Sequence, residues 1–137
     1  MQDIDQFLTY MKLVKGRVKD TLMLWNFKIE TKDFLQIFTC HRYCKTINIS
    51  NIEWRESEDI EKIKMNSKTE WSVETIGMCS PKNMDKKHFK KLIKKLSEID
   101  SLKKSLKRFV IKEWPFPAEK AKSILDKFGF KIEKFES

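Results

Sequence analysis

The sequence predicts an α/β domain built on parallel strands, and three observations predict it. Short apolar segments with the two-residue period of a strand alternate with segments of helical period. Only 3 Gly and 3 Pro in 137 residues leave little room for flexible linkers. A hydrophobic fraction of 40% suffices for a core, and 10 Phe and 4 Trp argue against disorder. Strands that alternate with helices need crossover connections, and therefore a parallel sheet. A doubly wound sheet and a solenoid with its helices on one side both satisfy that order.

The elements follow from spacing. Ile4, Phe7, Leu8 and Met11 mark one face of a helix over 2–14, with Asp3 and Asp5 in its first turn and Gly16 as its stop. Residues 21–25 (TLMLW) read as a strand. Thr31 then takes the N-cap of a helix carrying Phe34, Leu35 and Phe38 on one face. Residues 46–50 (TINIS) alternate as a strand does, and the charged stretch 55–69 reads as a short helix or irregular loop. Residues 71–79 form the next strand and Pro81 stops it. Asp85 caps a helix over 85–100 whose apolar face is Phe89, Leu92, Ile93, Leu96 and Ile99. Residues 106–112 alternate again. Pro117 opens a helix with Ala118, Ala121, Ile124, Leu125 and Phe128 inward and Gly129 as C-terminal cap, and a strand over 131–135 closes the chain.

Composition narrows the function classes. No apolar run approaches the ~20 residues of a membrane span, and MQDIDQF is too polar for a secretory signal. Three scattered Cys make no disulfide framework, so a reducing, intracellular setting is expected: the cytoplasm, with the nucleus open. The net charge of +9 suits nucleic acid, an anionic membrane or an acidic protein without choosing among them, and surface lysine also serves solubility.

A repeat of apolar positions runs through the strands. In the spacing L-x-x-L-x-L-x-x-N/C-x-L, Cys44, Ile47, Ile49, Ile52 and Trp54 place apolar residues on all five positions, as do Leu106, Phe109, Ile111, Trp114 and Phe116. Leu22, Leu24, Phe27 and Ile29 fill the last four after Lys19; Val73, Ile76 and Met78 fill the first three before Pro81 interrupts. The starts at 19, 44, 73 and 106 lie 25, 29 and 33 residues apart. On these residues the chain resembles the leucine-rich-repeat family, nearer its ribonuclease-inhibitor-like type with a helix in each repeat, over about residues 18–135.

The resemblance implies one domain: a short α/β solenoid of parallel strands with helices on one side. Residues 1–17 would form an N-terminal capping helix, 18–43, 44–72, 73–105 and 106–128 the repeats, and 129–137 a C-terminal cap. Four repeats are few, which suits the C-terminal part of a longer array or one unit of a larger assembly. The ninth position, ordinarily Asn or Cys, holds Phe27, Ile52, Pro81 and Trp114. Asn26 and Asn51 stand one place earlier, as a shifted ladder or by accident.

The function then implied is protein binding through the concave face. Its side chains would be Met23, Trp25, Asn48, Ser50, Gly77, Cys79, Val110 and Lys112, flanked by Thr46, Thr75 and Arg108. Trp25 is the first candidate anchor, or else packs beneath the N-terminal helix. The alternative is a basic module that docks nucleic acid or nucleoprotein. Lys86, Lys87, Lys90, Lys91, Lys94 and Lys95 recur at helical spacing, and Lys103, Lys104 and Arg108 extend them as contacts for phosphates or an acidic partner. Between 85 and 108 ten Lys or Arg face three acids, but no aromatics interleave with them for base stacking. Cys40, His41 and Cys44 lack the fourth ligand a zinc site needs, and Cys44 already belongs to the apolar repeat. No catalytic constellation emerges, and neither a cofactor nor a metal is expected.

Overall fold

The computed structural model describes residues 20–57 and 59–137, so the helix expected over 2–14, and with it the N-terminal cap, lies outside the described residues. The elements are β1 (Thr21–Trp25), β2 (Lys28–Glu30), α1 (Thr31–Cys40), β3 (Thr46–Ser50), β4 (Glu53–Arg55), a 3-10 turn (Ile60–Lys62), β5 (Thr75–Cys79), α2 (Lys86–Leu96), α3 (Asp100–Ser105), β6 (Arg108–Lys112), α4 (Ala118–Lys127) and β7 (Lys134–Glu136). The chain is a mixed α/β fold. Its main sheet has five strands in the order β1-β3-β5-β6-β7, all paired in parallel. Strands β2 and β4, which the apolar pattern alone does not delimit, pair in a second small sheet, and Lys82 adds one bridge beside Glu53.

Alternation explains the main sheet. Leu22, Ile47, Ile76 and Phe109 stand side by side in one row, and Leu24, Ile49, Met78 and Ile111 in the next. All eight are buried. Burying each is worth about 1.5–3 kcal/mol, and a slip of one residue would turn a strand's inward pair to the opposite face, so these rows hold the register. The apolar faces of the helices, including Phe34, Phe38, Phe89, Leu92 and Leu125, join the same core. Phe34 meets Trp54 edge-on at 4.9 Å, and Phe89 meets Trp114 edge-on at 5.3 Å.

Each strand entrance and exit repeats one device. At the entrances a single carbonyl accepts two amides: Asp20 from Lys45 and Thr46, Lys45 from Glu74 and Thr75, Glu74 from Lys107 and Arg108, and Lys107 from Glu133 and Lys134. At the exits Asn26, Asn51, Ser80 and Glu113 hold left-handed backbone, with φ of 60°, 53°, 49° and 49°. These four are again 25, 29 and 33 residues apart. The turn they make brings the next-placed Phe27, Ile52 and Pro81 into the interior, which explains why apolar residues occupy a position ordinarily polar. The amides of Asn26, Asn51 and Ser80 donate to the carbonyls of Ser50, Cys79 and Lys112, carrying the ladder around the corner.

Several boundaries differ from the sequence expectation. Residues 71–74 and 106–107 are not strand, because the paired amides at 74–75 and 107–108 converge on one acceptor instead of continuing a ladder. For the same reason the last strand begins at Lys134 and not at Lys131. Thr31 is the first residue of α1 and not its cap: its hydroxyl donates to the Arg55 carbonyl at 3.3 Å, Glu30 occupies the cap position, and Ser57 Oγ accepts from the Lys32 amide at 3.0 Å. The helix expected over 85–100 ends at Leu96, where the Ser97 hydroxyl takes the Lys94 carbonyl at 2.6 Å; Ile99 is buried ahead of α3. Asp85 does cap α2, its carboxylate accepting from the His88 amide at 2.7 Å. Gly129, at φ 88°, ends α4 in the left-handed region where glycine carries no steric cost.

Candidate functional site

The face of the main sheet opposite the core carries three rows. Thr21, Thr46, Thr75 and Arg108 form the first, Met23, Asn48, Gly77 and Val110 the second, and Trp25, Ser50, Cys79 and Lys112 the third. All of them except Thr21 and Trp25 line a shallow groove of about 420 Å³, and Trp25 stands beside it on the edge strand β1. Met23 is 58% and Trp25 55% exposed, so Trp25 presents its ring to solvent. Cys79, Asn48, Ser50 and Val110 are half-buried, and Lys112 is exposed.

Gly77 departs from the expected set. It is buried, because the Asn48 carboxamide lies across it; a Cβ built there would sit 2.6 Å from Asn48 Oδ1. The glycine therefore makes room for its neighbour and offers no surface of its own. At the far edge Arg108 donates to Glu136 at 2.7 Å, and Lys134 approaches the same carboxylate at 3.1 Å. These two bonds hold the Glu136 carboxyl below its usual range. Arg108 is thus partly neutralised, while Lys112 makes no ion pair among the described residues. Glu136 and Lys134 were not candidates in the sequence, since the register of β7 decides that they reach this edge.

The lysines expected to form one cationic face do not stay together. Lys86 and Lys90 face α4 and line a cleft with Lys120 and Lys127. Lys103 and Lys104 line a different cleft with Lys107, Lys131 and two carboxylates. Lys87, Lys91 and Lys94 are exposed or half-exposed on α2, and Arg108 belongs to the sheet face. Lys95 is a correction: it is 6% exposed, and its ammonium donates to the carbonyls of Ile63 at 2.6 Å and Glu61 at 3.1 Å and meets Glu98 at 3.3 Å. It anchors the turn at 60–63 to α2 and is unavailable to a phosphate. Six lysines in two series of three, each at a spacing of four, wrap partly around a helix, so some must point inward.

The cysteines and histidines are buried or half-buried. Burial pushes the Cys44 thiol up to about 11, with Asp20 adding to the effect, so it is a thiol and not a thiolate near neutral pH. Cys40 is half-buried at the end of α1 and His41 is buried. Among the described residues no three His, Cys, Asp or Glu stand together to hold a metal ion. His88 is buried beside Trp54, with its Nε2 2.5 Å from Thr31 Oγ1. That pair ties α2 to the start of α1.

Comparison with protein-family models, with curated proteins and with solved structures finds no match to this chain. Among the described residues no helix is long and apolar enough to cross a membrane.

Proposed function

We propose that the chain is a leucine-rich-repeat-like module that binds a protein partner through the open face of its main sheet and catalyses no reaction. The observation that carries the reading is the set of three rows with Met23 and Trp25 exposed on the edge strand β1 and Arg108 and Lys112 on β6. Two features support the repeat reading over a doubly wound sheet. The main strands lie side by side in chain order, whereas a doubly wound sheet reverses direction and covers both faces. The left-handed corners recur at the steps of the apolar repeat. Aromatic, Met and Arg side chains are the types that concentrate binding energy in interfaces, and the amides and hydroxyls between them suit backbone recognition.

The partner segment then carries an apolar anchor for Trp25 and Met23 and a carboxylate for Lys112. An intracellular setting with reduced cysteines fits this role. Docking of nucleic acid along α2 has less support, because its lysines point in several directions.

Panning a displayed random-peptide library against the full chain tests the reading. Enriched peptides should pair an aromatic or aliphatic residue with Asp or Glu. Their binding should fall about tenfold or more in Trp25→Ala and in Val110→Arg. Peptides that bind both variants as tightly as the wild type would rule out the sheet face as the site.

A further inference from the structure

We propose that the cleft between α2 and α4 is a binding site for a compact polyanion, a ligand that presents neighbouring phosphoryl groups. The cleft has a volume of about 230 Å³ and is lined by Lys86, Lys90, Lys120, Lys127, Ser123 and Ile124. Lys86 and Lys90 are one turn apart on α2, and Lys120, Ser123 and Lys127 share a stripe of α4. The packing of the two helices sets these stripes against each other. Ile124, 5% exposed, is the buried apolar member of the lining, while the four lysines are exposed and their attraction for an anion is weakened by salt.

The charge balance singles this cleft out. No carboxylate lines it, and none of its four lysines makes an ion pair among the described residues. The other lysine-rich cleft holds Asp100 and Glu133, and Asp100 stands 3.8 Å from Lys103. Here, by contrast, the Lys127 ammonium lies close enough to Lys90 to hold its pKa below the usual lysine value. These two ammonium groups stand near each other on the exposed rim of the cleft without a paired carboxylate, and a bound dianion relieves their repulsion. Four lysines that line one small volume suit clustered phosphates better than the evenly spaced single charges of a nucleic-acid backbone. A free polyphosphate, the phosphate chain of a nucleotide and a multiply phosphorylated lipid headgroup share this chemistry. The site shares no residue with the sheet face and stands independently of it.

Titration of the full chain with inorganic tripolyphosphate at low salt, followed by calorimetry and thermal denaturation, is the test. Saturable binding is expected, weakened about tenfold or more in Lys90→Gln/Lys127→Gln and kept in Lys103→Gln/Lys104→Gln. The first double variant should also melt no lower than wild type without ligand, since it removes repulsion, and should lose the rise in Tm that tripolyphosphate gives the wild type. Equal losses in the two double variants, no saturable binding, or an oligonucleotide that outcompetes tripolyphosphate at equal phosphate concentration would overturn the proposal. Adenosine triphosphate and vesicles containing a phosphorylated inositol lipid distinguish the sources; Lys90→Gln/Lys127→Gln-sensitive binding of either supports the site.

Discussion

The Asn51 side-chain amide donates to Asn26 Oδ1 at 2.5 Å, and both residues hold left-handed backbone. The pair links two successive exits of the main sheet. A left-handed residue with a Cβ costs about 1–2 kcal/mol, and asparagine reduces that cost by bonding locally with its short polar side chain. The next two corners, Ser80 and Glu113, are likewise joined, the serine hydroxyl donating to the carboxylate. The four thus act as two polar pairs along one edge.

Asn51→Val should lower stability by about 2 kcal/mol, since a β-branched residue is strained at positive φ and the bond to Asn26 is lost. Ser80→Asn should raise it by about 0.5 kcal/mol, because asparagine tolerates this backbone better. Urea denaturation measures both. A Val variant as stable as wild type would mean that the corner relaxes to another conformation.

Lys95→Ala should cost about 2–3 kcal/mol, because the Ile63 and Glu61 carbonyls lose a charged donor in a buried setting. Glu98→Gln should cost about 0.5 kcal/mol at most, as that carboxylate is 38% exposed and well solvated. The ratio between the two losses, read from denaturation midpoints at unchanged m-value, distinguishes an internal anchor from a surface ion pair.

Burial lowers the His88 pKa from the ordinary 6.5, outweighing Glu56 and Asp85, which act to raise it. The folded state therefore favours the neutral ring, and the unfolded state binds the extra proton. The stability this contributes is present above pH 6.5 and declines as pH falls from there toward the lowered folded value. Between about pH 7.5 and 5.5 Tm should drop, and His88→Gln should flatten that drop, because side-chain carboxylates have their usual titration range lower. A wild-type Tm that rises on acidification over the same interval contradicts the assignment.

Gly77→Ala should change stability by less than about 1 kcal/mol, since the clashing atom is the end of the Asn48 side chain and can swing away. The displaced carboxamide should nevertheless reshape the sheet face and weaken selected peptides. Trp25→Ala should leave Tm within a few degrees while weakening peptide binding about tenfold or more. Circular dichroism melts run beside binding isotherms separate the two effects, and parallel losses of fold and affinity would count against both.

The two-residue period was legible in TINIS and residues 106–112 because their inward side chains are apolar and their outward ones mostly are not, whereas TLMLW read as a strand from being short and apolar. Strands β2 and β4 were harder to read: at three residues each, their pattern is too short to show a period, and Ile29 and Trp54 had already been absorbed into the apolar repeat. Thr31 carried a strong capping signal that lost to a partner 57 residues away, His88. Lys120, Ser123 and Lys127 share a helical stripe visible in the sequence, yet nothing there indicates that Lys86 and Lys90 face it.

Apolar spacing along the chain dictated the alternation of strand and helix and the identity of the inward rows, because each depends on a residue and its near neighbours. Contacts over long separations decided the rest. Packing of the 60–63 turn on α2 buried Lys95, packing of α2 on α4 gathered four lysines around one cleft, and backbone pairing placed Glu136 beside Arg108 and turned Asn26, Asn51, Ser80 and Glu113 into a common edge. Electrostatic and hydrogen-bonding environments belong to groups that meet in space, and sequence distance does not record which groups those are.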